Sequence, residues 1–188
     1  TDRSRGLGDV YKRQVTRPTT DRVREACASM VLSAFGFDLD EVRVLDAFGG
    51  SGALGIEMLS RGARSLTTFE IDRNAARLIT KNIESLCRDR ARWRVVTGDV
   101  LASASRGRVP GGPFDLVLLD PPYAFGAKPV DELLQNLAQQ GLLTPGAYAL
   151  FEHAAADAGA HPAGFVTVRE KRYGITSVDL LRLSLIHI

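Results

Sequence analysis

Apolar residues recur along this chain with two different periods, and their alternation predicts the fold. Val23, Ala26, Cys27, Met30, Val31 and Ala34 fall at i, i+3, i+4, i+7, i+8 and i+11, the stripe of an amphipathic helix. Thr19 or Thr20 is placed to cap that helix and Gly36 to end it. Residues 43–47 read as a strand, followed by a glycine-rich turn and a helix over 52–61. A second strand is expected over 65–70, a helix over 72–86 with Asp72 as N-cap, and a third strand over 93–97 that leads through Gly98 and Asp99 into a short helix. Beyond a loop at 107–113, the run Phe-Asp-Leu-Val-Leu-Leu at 114–119 is short and aliphatic, as a strand buried on both faces requires. Val130, Leu133, Leu134, Leu137 and Ala138 mark another helix, closed by Gly141, and residues 147–152 a fifth strand. Residues 165–173 and 176–183, separated by Gly174, read as an antiparallel pair. Strands alternating with helices imply a parallel sheet covered on both faces. The expected class is therefore α/β, a Rossmann-like doubly wound sheet of about seven strands, mostly parallel with an antiparallel C-terminal strand pair.

A length of 188 residues fits one domain with a full-sized core. The boundaries expected are 15–183 for that domain. Residues 1–14 lack an apolar period and read as a non-native or disordered segment, and 184–188 (Ser-Leu-Ile-His-Ile) as a non-native tail. Both ends resemble adapter-derived sequence found at the ends of assembled genes, and are set aside from the functional reading. Hydrophobic residues at 45% and charged residues at 24% fit a soluble globular protein. No apolar run approaches the ~18 residues of a membrane helix, and Cys27 and Cys87 lack metal-site or disulfide spacing. A reducing cytoplasm is the simplest home. Net charge is +2, but twenty Arg face only four Lys. Arginine suits phosphate contact and base stacking, and its clusters at 88–94 and 169–172 hint at a nucleic-acid surface, although compositional bias in the gene explains the excess equally well.

The candidate chemistry begins at Asp120-Pro121-Pro122-Tyr123, directly after the buried strand. That loop leaves the carboxyl edge of the sheet, where open α/β folds bind ligands. Two prolines fix the backbone and remove two N–H donors, so local carbonyls stay free to accept. One carboxylate, rigid carbonyls and an aromatic ring suit a flat substrate bearing an NH2 group. The plainer alternatives are a proline-rich turn or a polyproline-type docking segment, for which a buried strand leaves little room.

The first strand ends in Asp46-Ala47-Phe48-Gly49-Gly50-Ser51-Gly52 and opens a helix, whose N-terminus offers free N–H groups. Gly50-Ser51-Gly52-Ala53-Leu54-Gly55 matches GxGxxG, which does not by itself specify the ligand. Asp46 before the glycines would repel a pyrophosphate and attract a cation. Glu70 closes the second strand, placed to accept ribose hydroxyls, and Asp99 the third, placed near an adenine amine. Glu70 alone is also compatible with a surface acid, and Asp99 with a helix cap. Together, acids at three strand ends suit a ligand with adenosine, a positive charge and no phosphate, which is S-adenosylmethionine. Phe48, Gly50, Ser51, Gly52, Ile71, Val100 and Asp120 complete the expected cofactor set with Asp46, Glu70 and Asp99.

At this point the chain resembles the Rossmann-like S-adenosylmethionine methyltransferases with an (Asp/Asn)-Pro-Pro-Tyr motif, and more closely the bacterial enzymes that methylate the exocyclic N2 of a guanine in small-subunit (16S) ribosomal RNA. The closer match is carried by residues 17–25 (Arg-Pro-Thr-Thr-Asp-Arg-Val-Arg-Glu), the 46–55 turn, 120–123, and 170–174 (Glu-Lys-Arg-Tyr-Gly). It covers roughly residues 17–183. The resemblance implies that Arg17, Pro18 and Thr19 border the methionine end of the cofactor. It implies small-subunit ribosomal RNA, free or in an assembling 30S particle, as partner; a monomer with no metal or membrane partner is expected. Arg169, Lys171, Arg172 and Tyr173 are the candidate RNA contacts, a solvated strand face being the alternative. In two respects the chain departs from the family. Gly49 stands where alanine is usual, which is expected to loosen the turn slightly, and the family's basic N-terminal hairpin is missing or replaced by residues 1–14.

The mechanism expected has Asp120, Pro121, Pro122 and Tyr123 as the catalytic set. Asp120 and the Pro121 carbonyl accept the two amine hydrogens, Tyr123 stacks on the base, and the base must be unpaired or flipped out. His153, at a strand end without a visible partner, is not needed for this reaction. Rival readings are a methyltransferase for DNA adenine or cytosine or for a protein glutamine, a catalytically idle cofactor-binding assembly factor, and a nicotinamide-dependent oxidoreductase.

Overall fold

A computed structural model of the protein describes residues 21–185. The elements run α1 (Asp21–Ala34), β1 (Arg43–Asp46), α2 (Ala53–Ser60), β2 (Ser65–Glu70), α3 (Arg73–Leu86), β3 (Trp93–Thr97), α4 (Val100–Ser105), β4 (Phe114–Leu119), α5 (Lys128–Gln139), β5 (Leu143–Ala154), β6 (Phe165–Tyr173) and β7 (Thr176–Leu183). Short 3-10 turns lie at Arg90–Arg92 and Tyr123–Phe125. One seven-stranded sheet has the order β3-β2-β1-β4-β5-β7-β6. Its first five strands are parallel, and β7 runs antiparallel between β5 and β6. This is the doubly wound architecture that the alternation of periods implied.

Successive strand side chains point to opposite faces, and each face has its own core. Val44, Leu116, Leu118 and Leu150 pack with Cys27, Met30 and Val31 of α1, Met58 of α2, and Ile79 and Ile83 of α3. On the other face, Leu45, Val117, Leu119 and Phe151 meet Val100 and Ala104 of α4 and Leu133, Leu134 and Leu137 of α5. Among the described residues no helix is long and apolar enough to cross a membrane.

The expected boundaries hold to within a residue or two except at β5, which begins at Leu143 rather than 147. Phe114 pairs with Leu143, but Leu116 already pairs with Tyr148, so five steps along β5 oppose two along β4. This bulge holds Pro145 and Gly146, residues that read as a loop in sequence and that a bulge accommodates. The expected caps Thr19 and Thr20, the segment 1–14 and residues 186–188 of the tail lie outside the described residues, whereas Ser184 and Leu185 are described beyond β7.

Candidate active site

The parallel register brings three carboxylates together at the carboxyl edge. Asp46 pairs with Leu118, and Leu118 with Leu150. Two residues further along their strands, Asp120 and Glu152 lie level with each other and one pleat above Asp46. Because Leu118 and Leu150 belong to the core under α1, period-two alternation turns Asp46, Asp120 and Glu152 toward that same face. Adjacent strands lie ~4.8 Å apart, so the three acids form a tight group around a cavity of about 240 Å³.

The cavity extends along the strand ends from Glu152 to Asp99. Of the residues expected at the cofactor, Asp46, Phe48, Gly50, Ser51, Glu70, Ile71, Asp99, Val100 and Asp120 line it, together with Pro121 and Pro122. Gly52 is not on its wall. It caps α2 in the left-handed conformation at φ 74°, where its lack of a side chain also lets Ile79 approach. The turn before it is drawn tight by hydrogen bonds from Gly49 N to Phe69 O (2.7 Å) and from Gly52 N to Gly49 O (2.6 Å). Gly49 does not loosen this turn. A Cβ there would lie 2.8 Å from Ile79 Cδ1, 2.9 Å from Thr68 Cγ2 and 3.0 Å from Phe69 O, so glycine is what allows this turn to sit on β2 and α3.

Glu70 is more committed than its place at a strand end suggested. Its Oε1 accepts from Gly50 N (3.0 Å) and its Oε2 from Asp72 N (2.8 Å). Each carboxylate oxygen has a second lone pair, so the acid can hold the glycine turn and still meet two hydroxyls. Asp99 caps α4, accepting from Leu101 N at 2.9 Å, and also lines the cavity. Asp72 caps α3 through Ala75 N at 3.1 Å.

Burial pushes the Asp46 carboxyl up from 3.8 to about 8, with the Asp120 and Glu70 charges adding to the rise and the Phe48 N–H opposing it. Burial, then the charges of Glu152 and Asp120, also push the Cys27 thiol well up, so that cysteine is a packing residue and a marker that both acids face α1. Among the described residues, no lysine, arginine or histidine lines the cavity. A phosphate would find no cationic partner among the described lining residues, whereas a cation would relieve the crowded acids.

Glu152, Phe125 and Leu101 are among the lining residues that carried no functional reading from sequence. Glu152 is 5% exposed on β5; it ends the expected strand 147–152, but no motif adjoins it. Phe125 follows the Asp-Pro-Pro-Tyr motif and meets Phe48 edge-on at 5.2 Å, joining the β4 loop to the glycine turn. Leu101 completes the wall beside Asp99. His153 does have a partner. Its Nε2 lies 2.7 Å from Asp179 Oδ2 and its Nδ1 2.9 Å from Ala154 O, and its ring stacks on Phe151 at 4.7 Å, so it ties β5 to β7.

Arg169, Lys171, Arg172 and Tyr173 lie on edge strand β6, away from the cavity wall. Lys171 pairs with Val178, which pairs with Glu152, so this cation is level with the acids, two strands away. Arg172 Nε donates to Gly174 O at 2.9 Å, and Lys171 Nζ sits 5.4 Å over the Tyr173 ring. Arg17, Pro18 and Thr19, expected at the cofactor, lie outside the described residues, as does the Tyr123 side chain.

Comparison with known proteins agrees with this fold. The family described as conserved hypothetical protein 95 matches residues 3–182. The ribosomal RNA small subunit methyltransferase D of Haemophilus influenzae is 30% identical over 91% of this chain and 85% of its own length. The protein of that name from Escherichia coli strain K12 is 35% identical over 68% of this chain and 59% of its own length. A solved Escherichia coli structure superposes with a TM-score of 0.74 at 30% identity, covering 89% of this chain and 88% of its own. The fold alone is shared with magnesium protoporphyrin IX methyltransferase of Synechocystis PCC 6803, solved with S-adenosylmethionine bound (TM-score 0.65, 19% identity, 94% of this chain and 91% of its own).

Proposed function

The chain belongs to the conserved hypothetical protein 95 family, the family of the bacterial 16S ribosomal RNA methyltransferases, and from that premise we propose that it methylates the exocyclic N2 amine of a guanine in small-subunit ribosomal RNA. The cofactor is S-adenosylmethionine. Its fit rests on the donor set: acids at consecutive strand ends, a glycine turn at a helix N-terminus, and no cation on the described wall that a phosphate would need. In that arrangement Glu70 holds the ribose hydroxyls, Asp99 and Ile71 border the adenine, and Asp46 faces the cationic end. Bound there, the cofactor supplies an electrophilic methyl group on a positively charged sulfur.

The chain's own residues then act on the acceptor. A guanine N2 lone pair is delocalised into the ring, so the amine is a poor nucleophile. Asp120 and the Pro121 carbonyl each accept one of its hydrogens, which turns the lone pair toward the methyl-donor side. Asp120 holds the proton that the amine must lose once it has become cationic. Prolines at 121 and 122 keep the accepting carbonyls rigid, and Tyr123 stacks on a base that has left its helix. Correct placement contributes up to ~7–11 kcal/mol in favourable cases, against roughly 1.5–3 kcal/mol for one charged hydrogen bond. Positioning therefore dominates.

The observation that supports this reading most is the junction of one cavity with two kinds of wall, cofactor acids on one side and Asp120-Pro121-Pro122 on the other. Asp120→Ala is expected to lower turnover at least a hundredfold while calorimetry shows cofactor affinity within about threefold of the parent. Lost cofactor binding with normal turnover at saturation would remove Asp120 from the acceptor side.

A further inference from the structure

Asp120 shares the acceptor end of the cavity with a second carboxylate, Glu152. The two stand level on adjacent parallel strands, and both raise the Cys27 thiol from the same side. Glu152 is held firmly in place: the next residue, His153, is bonded to Asp179 on β7 at 2.7 Å, and the previous one, Phe151, is buried under the helices of the other face. We propose that Glu152 is the residue that selects guanine, accepting the N1–H of the target base while Asp120 accepts from its N2 amine.

The argument rests on the proposed guanine acceptor and on the chemistry of base edges. Guanine presents N1–H beside one hydrogen of its amine on the Watson–Crick edge, while the second amine hydrogen points toward N3. Adenine and cytosine instead place a ring-nitrogen lone pair beside the amine, and a glutamine side chain places an oxygen there. A carboxylate next to the amine-binding acid therefore gains a charge-assisted hydrogen bond from guanine and meets a lone pair in each competitor. Flipped-out bases are read along this edge, and loss of one such bond is worth about ten- to a hundredfold.

The test uses small ribosomal subunits reconstituted with guanine or 2-aminopurine at the position that the parent protein labels. 2-Aminopurine keeps the amine but has a lone pair at N1. The parent is expected to favour guanine by tenfold or more. Glu152→Gln, which can offer an amide hydrogen to that lone pair, should lower kcat/KM for guanine at least tenfold and bring the preference to within about threefold. Cofactor affinity should stay near the parent's. Glu152→Asp, which keeps the charge, should retain the preference for guanine and serves as the control if Glu152→Gln folds poorly. An unchanged preference in Glu152→Gln, or a loss of preference in Glu152→Asp, overturns the role of Glu152 and leaves the proposed reaction standing. Failure of the parent to label any guanine overturns the proposed reaction and this inference with it.

Discussion

Asp46 carries the clearest conflict between stability and function at the scale of one residue. Its carboxyl is held at about 8 against 3.8 in an unconstrained chain. Between those values the folded protein keeps a proton that the unfolded chain has released, so stability falls as pH rises from about 4 toward 8. Removing the charge should reverse the penalty. Asp46→Asn is expected to be more stable than the parent at pH 8, by on the order of a few kcal/mol, and no more stable near pH 4. Its cofactor affinity should drop at least tenfold, since a cationic group loses its partner. Thermal melts at both pH values and calorimetry check the two halves. Asp46, Glu70, Asp99 and Asp120 were singled out in sequence as strand-end acids alongside the glycine turn and the Asp-Pro-Pro-Tyr motif, whereas Glu152 ends the fifth expected strand in the same way but adjoins neither. Glu152 and Phe125 were not singled out: the first pairs with Asp120 only through strand register, and the second meets Phe48 across 77 positions of sequence.

The glycine turn shows what an element demands of its neighbours. A glycine at 49 looked like a loosening of a turn that usually has alanine, but Thr68 on β2, the carbonyl of Phe69 and Ile79 on α3 fill the space around it. Gly49→Ala is therefore expected to destabilise the protein by about 1–3 kcal/mol, as overpacking does, with the midpoint of urea denaturation as readout. A gain in stability would mean that Ile79 swings aside at no cost. Helices and buried strands were readable because period and composition agreed along them. The start of β5 was not, because a bulge containing Pro145 and Gly146 carries the composition of a loop while still pairing with β4.

At the scale of the whole molecule the sheet order aligns the acceptor pocket with a basic edge. Two steps across the sheet from Glu152, β6 presents Lys171 at the same level, flanked by Arg169 and Arg172. A backbone leaving the pocket along that edge meets positive charge after ~10 Å, comparable to the span of two phosphates. Replacing all three cations with glutamine should flatten the salt dependence of RNA binding by a slope of about 2–3, with cofactor affinity unchanged; an unaltered slope would send the RNA elsewhere. This convergence of strand ends was implied by the alternating pattern, but the proximity of β6 to the acids required the antiparallel insertion of β7. The central claim, that this cavity methylates guanine N2 in small-subunit RNA, is tested most directly by incubating unmodified small ribosomal subunits with radiolabelled S-adenosylmethionine and digesting the RNA to nucleosides. Label in N2-methylguanosine, absent with Asp120→Ala, is the result expected. Label in methylated adenosine, cytidine or a protein side chain instead, or undiminished label with Asp120→Ala, would contradict it.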